Sequence, residues 1–268
     1  MDKEKETPVD LLAVVAIVEE AGKKLLNREM TVQQKGTASN LVTSRDLEVE
    51  QFLTEKLTDL LPGSEVLGEE GEQSCVSAEY LWVIDPIDGT SNFIRDIGFS
   101  AVSVGLVRNG EPYLGVVCNP YRQEMFYAVT GGGAWMNGKP IRVSKNDFAH
   151  SHLCSAMSLY NKALAPQCFN IISRVYEECD DLRRMGSAAL ELAYLACGRV
   201  ELYFEIRLFS WDTAGAIPII REAGGLVKVL YDEVFPLDKP FAVYAANTKE
   251  NMDKLEAIIC QELPQLPY

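Results

Sequence analysis

The chain has 268 residues, 25 basic and 39 acidic side chains, and a formal net charge of −14 at pH 7. This acidity argues against a nucleic-acid-binding protein, which needs a basic surface, and against binding to an anionic membrane. A hydrophobic fraction of 47% and a charged fraction of 24% are ordinary for a globular protein that buries a large core.

The histidines and cysteines narrow the chemistry further. The two histidines, His150 and His152, are neighbours in sequence, so a site that needs separated histidines is not expected. The seven cysteines are an odd number with no C-x-x-C pair, which predicts reduced thiols. The charged start is unlike a signal peptide, and the apolar run Leu11–Val18 is too short for a membrane span. We therefore expect a cytoplasmic protein.

Two helices are predicted at the start of the chain. Thr7-Pro8 resembles a helix cap followed by a first-turn proline, and the apolar residues from Leu11 to Leu25 have helical spacing. A second helix is predicted from Arg45 to Leu61, with Pro62-Gly63 ending it.

The middle of the chain predicts antiparallel strands. Asn109-Gly110 and Asn137-Gly138 are strong hairpin signals. The strands around them are predicted at residues 80–84, 100–107, 113–118 and 123–129. We expect a meander that the two N-terminal helices cover.

Helices and strands alternate in the last part. Helices are predicted at residues 187–197 and 213–223, with a final helix capped by Asn247 or Thr248. Strands are predicted at residues 200–205, 226–230 and 241–245. A soft boundary near residues 144–150 divides the chain into an N-terminal half, residues 1–146, and a C-terminal half, residues 147–268.

The most informative stretch is Trp82-Val83-Ile84-Asp85-Pro86-Ile87-Asp88-Gly89-Thr90-Ser91-Asn92-Phe93. We expect an apolar strand to end on Asp85 and Pro86 to turn the chain, so that the Asp85 and Asp88 carboxylates converge. Mg²⁺ prefers such oxygen ligands and relieves their repulsion. The amides of Gly89-Thr90-Ser91 can face an anion.

Three other interpretations apply to this stretch. Asp, Pro and Gly are ordinary turn residues, so the pieces alone favour a capped turn. An EF-hand is excluded because the alternating ligands and the Glu at position twelve are missing. The Asp-x-Asp-Gly-Thr string of aspartyl-nucleophile phosphatases is one residue shorter than the string here.

Three further patterns bear on the chemistry. Glu69-Glu70 lies between glycines after a short predicted strand, and this piece taken alone favours a solvated acidic loop over a functional site. Asp212 stands at a predicted helix start, where an acid has a structural role. The C-x5-R spacing from Cys168 to Arg174 lacks the glycines of a Cys phosphatase loop and instead predicts a helix with buried Phe169 and Ile172.

Together these motifs resemble the inositol monophosphatase family of Mg²⁺-dependent, lithium-sensitive phosphatases. The resemblance rests on the residue 82–93 stretch and on Trp211-Asp212-Thr213-Ala214-Gly215-Ala216 with Glu222-Ala223-Gly224-Gly225. Supporting pieces are Gly68-Glu69-Glu70, Leu41-Val42-Thr43 with Asp46, Gly186-Ser187-Ala188-Ala189, and Ala245-Ala246-Asn247. They keep the family's order over nearly the whole chain.

The resemblance implies an αβαβα layered sandwich, with an antiparallel N-terminal sheet and a mixed C-terminal sheet. It also implies hydrolysis of a phosphate monoester with two or three Mg²⁺ ions. The implied metal ligands are Glu69, Asp85, the Ile87 carbonyl, Asp88 and Asp212.

The resemblance assigns roles in catalysis and substrate binding as well. Thr90, paired with Asp46, would orient and deprotonate the attacking water, and Glu69 would hold a weaker third ion with a water network. The implied substrate-binding residues are Lys35, Asp88, Gly89, Thr90, Ala188, Glu205 and Asp212.

Substrate choice stays open at this point. Asn40 and Gly98 replace an Asp and a Pro that are common in the family. Inositol monophosphate or another small polyol or sugar phosphate is the leading expectation. Fructose 1,6-bisphosphate, NADP(H) and 3′-phosphonucleotides are the alternatives, and a non-catalytic metal-binding regulatory module is the competing class. A homodimer is expected by resemblance only.

Overall fold

The computed structural model describes residues 8–34, 41–71, 77–158, 161–232 and 234–265. The helices in these ranges are α1 (Leu11–Leu25), α2 (Ser44–Leu60), α3 (Thr90–Ile94), α4 (Ala165–Tyr176), α5 (Ala188–Ala196), α6 (Ser210–Thr213), α7 (Ala216–Glu222) and α8 (Lys249–Glu262). The strands are β1 (Val32–Gln34), β2 (Leu41–Thr43), β3 (Glu65–Gly68), β4 (Tyr80–Asp88), β5 (Ala101–Arg108), β6 (Glu111–Asn119), β7 (Glu124–Val129), β8 (Ala134–Met136), β9 (Lys139–Pro140), β10 (His152–Ala156), β11 (Asp181–Arg183), β12 (Leu202–Leu208), β13 (Leu226–Val229) and β14 (Phe241–Ala246).

Side-chain caps begin the two N-terminal helices. The prediction of a helix start at Thr7-Pro8 is wrong, because Asp10 is the N-cap of α1 and accepts the Leu12 amide at 3.0 Å. Thr7 itself lies outside the described residues. Thr43 caps α2, and the Asp46 carboxylate accepts the Thr43 amide in return, at 2.7 Å. This capping box fixes the position of Asp46.

The predicted meander is present as a seven-stranded sheet in the order β3-β4-β5-β6-β7-β8-β9. Asn109 and Asn137 have φ angles of 51° and 49° and open the two predicted hairpin turns. The one departure from an antiparallel arrangement is that β3 runs parallel to β4.

Strand β4 contains the main correction to the predicted strands. It does not end on Asp85: it continues to Asp88, and its register against β5 shifts between these two residues. Such an irregularity re-aims side chains within a paired strand, so Pro86 lies in a bulge rather than in a chain-reversing turn.

The second sheet has five strands in the order β11-β10-β12-β14-β13. Strands β10, β11 and β12 are mutually parallel, and β14 pairs antiparallel with β12 and β13. The helix predicted at residues 213–223 is two helices, α6 and α7, and Thr248 caps α8.

Three apolar clusters join the elements into layers. Helices α1 and α2 cover one face of the seven-stranded sheet. Helices α5, α6 and α7 fill the space between the two sheets. Helices α4 and α8 cover the outer face of the five-stranded sheet. The predicted αβαβα layered sandwich is therefore confirmed, whereas the division at residues 146 and 147 stays a prediction.

Two smaller expectations concern membrane spans and thiols. In the described ranges, no helix combines the length and apolar character needed to cross a bilayer. Six cysteines in those ranges are free thiols. Cys168 is buried in α4 and its pKa is raised to about 11 by burial, which is unsuited to a nucleophile. Phe169, predicted to be buried, is 55% exposed, whereas Ile172 is buried.

Candidate active site

A seam of small residues holds α6 and α7 against the seven-stranded sheet. A Cβ atom at Gly115 of β6 would overlap the backbone oxygen of Gly215, and one at Gly105 of β5 would lie 2.7 Å from the oxygen of Ala214. Asp212 lies two residues before Ala214 and three before Gly215. The close approach of Ala214 and Gly215 to the sheet therefore sets the distance of Asp212 from the carboxylates of β4. We call Gly105, Gly115, Ala214 and Gly215 the glycine seam.

Three carboxylates meet where β4 and α6 adjoin. Carboxylate oxygens of Asp85, Asp88 and Asp212 lie within 4.8 Å of one another. Burial raises the pKa of Asp85 well above its ordinary value, and repulsion from Glu69, Asp88 and Asp212 raises it further. Burial and repulsion from Asp88 and Glu69 also raise the pKa of Asp212. Protonation or a bound cation relieves the repulsion between buried carboxylates at this spacing.

The donor set fits a hard divalent metal. Carboxylate oxygens are the ligands that Mg²⁺ takes from proteins, and the mutual repulsion of the three groups is what such an ion relieves. Asp85, Asp88 and Asp212 are therefore the residues that would hold it.

Glu69 and Ile87 flank this cluster. The Glu69 amide donates to the Ile84 carbonyl at 3.2 Å, which places Glu69 at the end of β3, and its side chain lines the same cleft. The Ile87 amide donates to Asp85 Oδ1 at 3.0 Å. The Ile87 carbonyl accepts the Thr90 hydroxyl at 3.0 Å. The structure thus brings both predicted ligands to the site, and their metal ligation stays a prediction.

Thr90 lies between the cluster and Asp46. Its Oγ1 is 3.4 Å from Asp46 Oδ1, so the predicted pair is in contact. The other Asp46 oxygen accepts from the amide and hydroxyl of Thr43.

Gly89 precedes α3 with φ of +88°, and a Cβ there would lie 2.8 Å from the Gly186 oxygen, so glycine is required.

Asp88 is held by the start of α5, a contact that sequence reasoning missed. Its carboxylate accepts the Ser187 hydroxyl and the backbone amides of Ala188 and Ala189 at 3.2 and 2.7 Å. Burial raises the Asp88 pKa to about 6, while these hydrogen bonds oppose the rise. The Gly186-Ser187-Ala188-Ala189 motif contributes to the family resemblance, but nothing local in the sequence indicates that it faces Asp88.

Glu205 and Ala188 also line the cleft. Glu205 accepts the Tyr203 hydroxyl at 2.9 Å, and burial raises its pKa to about 7. Its carboxyl is therefore divided between protonated and ionised forms near neutral pH, and can donate or accept a hydrogen bond. Lys35, also predicted here, lies outside the described residues.

Three charged residues of the cleft were not predicted: Arg184, Glu191 and Arg207. Glu191 is a buried acid whose Oε1 accepts the amides of Met185 and Gly186 at 2.7 and 2.8 Å. Burial raises its pKa to about 8. A single acid inside the otherwise apolar α5 was the available signal for it.

The layered fold and the acidic cluster next to a hydroxyl–carboxylate pair are those of a phosphomonoesterase fold with a candidate metal site. Residues 2–264 match the model of the inositol monophosphatase family. The chain belongs to this family.

Individual relatives carry two kinds of name. The Nus factor SuhB of Pasteurella multocida is 38% identical over 193 residues, 71% of this chain and 72% of that protein. The inositol-1-monophosphatase of Synechocystis sp. is 36% identical over 243 residues, 87% of this chain and 82% of that protein. The structure of inositol monophosphatase from Anabaena (Nostoc) sp. superposes with a TM-score of 0.82 at 31% identity, covering 96% and 98% of the two chains.

Proposed function

We propose that this protein is a Mg²⁺-dependent phosphatase that hydrolyses a small phosphate monoester, with inositol monophosphate as the leading substrate. The observation that supports it best is the cluster of Asp85, Asp88 and Asp212 within 4.8 Å. The Thr90–Asp46 contact beside this cluster supplies a group that can take a proton from water.

Glu69, Asp85, the Ile87 carbonyl, Asp88 and Asp212 would hold two or three Mg²⁺ ions at the proposed site. Mg²⁺ at such a site neutralises phosphate charge and lowers the pKa of bound water. Thr90 orients the attacking water and receives its proton as the Thr90 hydroxyl proton passes to Asp46. The amides of Gly89 and Thr90 bind phosphate oxygens.

The alcohol part of the substrate would lie against Glu205 and Ala188. Because the pKa of Glu205 is about 7, its carboxyl can both accept from and donate to polyol hydroxyls. Lys35 is proposed to contact the substrate as well. Fructose 1,6-bisphosphate, NADP(H) and 3′-phosphonucleotides remain the alternative substrates of the same site.

A second candidate is a regulatory role without catalysis, which the relatives named Nus factor SuhB favour. Because of these relatives, the expectation of no nucleic-acid partner stays a prediction. The absence of membrane binding, the homodimer and the cytoplasmic location also stay predictions. A degenerate family member should have lost Asp46, Thr90 or a carboxylate of the cluster, and this chain keeps them all.

Phosphate release from inositol 1-phosphate, with and without Mg²⁺, tests the proposal. We expect Mg²⁺-dependent turnover in the wild type. We expect Asp88→Asn to lower kcat by more than about 100-fold, because a carboxylate charge of the cluster is lost. Circular dichroism should show that this variant stays folded. No release from a panel of phosphate monoesters with Mg²⁺ present contradicts the enzyme, and activity of Asp88→Asn within a few-fold of wild type contradicts the assigned ligand.

A further inference from the structure

Two arginines line a cleft that is otherwise rich in carboxylates. Arg184 precedes α5 and Arg207 lies in β12, and both contribute to the cleft walls beside Glu205 and the aspartate cluster. Neither guanidinium forms an ion pair or a side-chain hydrogen bond with any other residue in the parts of the chain that are described. The charge of Arg184 lowers the pKa of the nearby Glu205 carboxyl, but no hydrogen bond to the described residues occupies its N–H groups.

Arg207 lies on the substrate side of β12. Glu205 and Arg207 line the same cleft and both are partly exposed, although the register of β12 against β14 shifts between Glu205 and Leu208. The intervening Ile206 packs into the apolar cluster on the outer face of the five-stranded sheet. The residue proposed to meet the alcohol part of the substrate and this arginine thus face the same space.

An aromatic pair supports the Arg207 side chain. Its guanidinium carbon lies 5.1 Å from the centre of the Phe209 ring. Phe209 in turn stacks on Trp211, with ring centres 4.7 Å apart and planes 9° from parallel. A guanidinium held against a ring keeps its N–H groups free for a second partner, which a flexible surface arginine does not do as well.

The chemistry of the two ends of the cleft differs. The aspartate cluster can take cations together with the phosphate that is cleaved. A substrate with one phosphate and neutral hydroxyls offers the two guanidiniums hydrogen-bond acceptors but no second negative charge. A planar guanidinium matches a phosphate or a carboxylate in bidentate geometry, so the cationic end fits a second anion.

We propose that Arg184 and Arg207 form an anion subsite that selects substrates carrying a second phosphate or carboxylate away from the phosphate that is hydrolysed. This inference rests on the proposed phosphatase function, and within it favours the alternative substrates that carry a second anion over inositol monophosphate. The competing explanation is that the arginines only balance the charge of the acidic cluster, in which case their loss affects all substrates equally.

Matched pairs of substrates test the subsite. One pair is fructose 1,6-bisphosphate and fructose 1-phosphate, and the other is 6-phosphogluconate and glucitol 6-phosphate. The members of each pair differ in the second anion only. In one pair, we expect kcat/KM to be at least about tenfold higher for the substrate that carries the second anion. This exceeds the twofold increase that a bisphosphate gains from having two phosphates that can be cleaved. The pair that responds identifies the phosphate or the carboxylate as the second anion.

Variants assign the preference to the arginines. Arg207→Gln and Arg184→Gln should each reduce the ratio of kcat/KM values about tenfold, chiefly through KM, because the contact is the same in ground and transition states. Arg207→Lys should restore part of the ratio. Arg183→Gln is the matched control: this neighbouring arginine pairs with Asp181 outside the cleft, and its loss should leave the ratio unchanged.

The outcomes separate this inference from the proposed function. Equal kcat/KM values within both pairs, or equal losses for both members in the arginine variants, overturn the anion subsite while phosphatase activity stands. An absence of phosphate release from every substrate overturns the proposed function and the subsite with it.

Discussion

At the residue scale, the Thr90 hydroxyl is the group in this site that touches both a strand carbonyl and a carboxylate. It lies 3.0 Å from the Ile87 oxygen and 3.4 Å from Asp46. General-base assistance of this kind contributes about 10²–10⁴-fold to a rate. We expect Thr90→Val to lower kcat at least 100-fold and Thr90→Ser to retain most of it. Steady-state kinetics measure this, with Thr58→Val as a control that removes a hydroxyl bonded to the Thr54 carbonyl in α2. A Thr90→Val enzyme within fivefold of wild type would rule out the proton path.

Glu191 is a residue whose protonation stabilises the fold. Its pKa is about 8 in the folded protein against an ordinary value of 4.5, so the folded state holds a proton that the unfolded state releases. This contribution to the free energy of unfolding is complete below pH 4.5 and is lost as the pH rises to about 8. Glu191→Gln keeps a neutral acceptor for the Met185 and Gly186 amides, so its unfolding free energy should depend less on pH across this window.

Urea unfolding at several pH values between 4.5 and 8 measures the difference between wild type and Glu191→Gln. Glu191→Ala is the disruptive counterpart: it leaves two amides without an acceptor and opens a cavity, and should cost about 2–4 kcal/mol. Parallel pH curves for wild type and Glu191→Gln would show that Glu191 is not protonated in the fold.

At the scale of elements, the glycine seam determines how closely two helices approach a sheet. Gly115 has no room for a Cβ because the Gly215 carbonyl occupies that place. Both partners are backbone, so the strain cannot be relieved by a side-chain rotation. We expect Gly115→Ala to lower the free energy of unfolding by about 3 kcal/mol or more. Moving α6 away from β4 would also weaken Mg²⁺ binding.

Gly138→Ala is the control for this seam. Its position has φ of +76° but open space around it, so the substitution should cost about 1 kcal/mol through backbone strain alone. Thermal unfolding and Mg²⁺ titration of both variants measure the effects. A Gly115→Ala protein as stable as Gly138→Ala would mean that the two layers are not held at a fixed distance.

The elements that could be predicted from sequence are those with a local signal. The Asn-Gly pairs specify hairpins through the left-handed conformation of Asn109 and Asn137, and the apolar periodicity of α2 and α8 specifies helices. Strands β10 and β11 were missed because parallel pairing is set by distant segments rather than by a turn. The sequence does not distinguish the bulge in β4 from a strand end, because Pro86 gives the same local signal in both cases.

The candidate site divides in the same way. Asp85, Asp88 and Asp212 stood out because an acid beside an apolar strand or a tryptophan is unusual. Ser187, Glu191 and the two cleft arginines reach the site only through the packing of α5 and β12. No spacing in the sequence announces such contacts, which depend on the distance between layers.

For the whole molecule, the net charge of −14 includes a group of buried carboxyls whose ionisation opposes folding. Burial raises the pKa values of Asp85, Asp88, Glu191, Glu205 and Asp212, so each opposes folding more as it ionises. Without a divalent cation, stability should therefore fall as the pH rises from 5 to 8. The sign is that of raised carboxyl pKa values: the folded state binds more protons than the unfolded state throughout this window.

A cation that binds the ionised cluster in the folded state should reverse this trend, because it competes with protons for the same oxygens. We expect 10 mM Mg²⁺ to raise Tm by several degrees at pH 8 and by much less at pH 5. Calorimetry at both pH values, in EDTA and in Mg²⁺, measures the two shifts, and Asp212→Asn should reduce the Mg²⁺ shift at pH 8. An equal Mg²⁺ shift at both pH values would mean that the stabilising ions bind elsewhere on the acidic surface. Exposed carboxylates are already ionised at pH 5, whereas the buried cluster gains negative charge between pH 5 and 8.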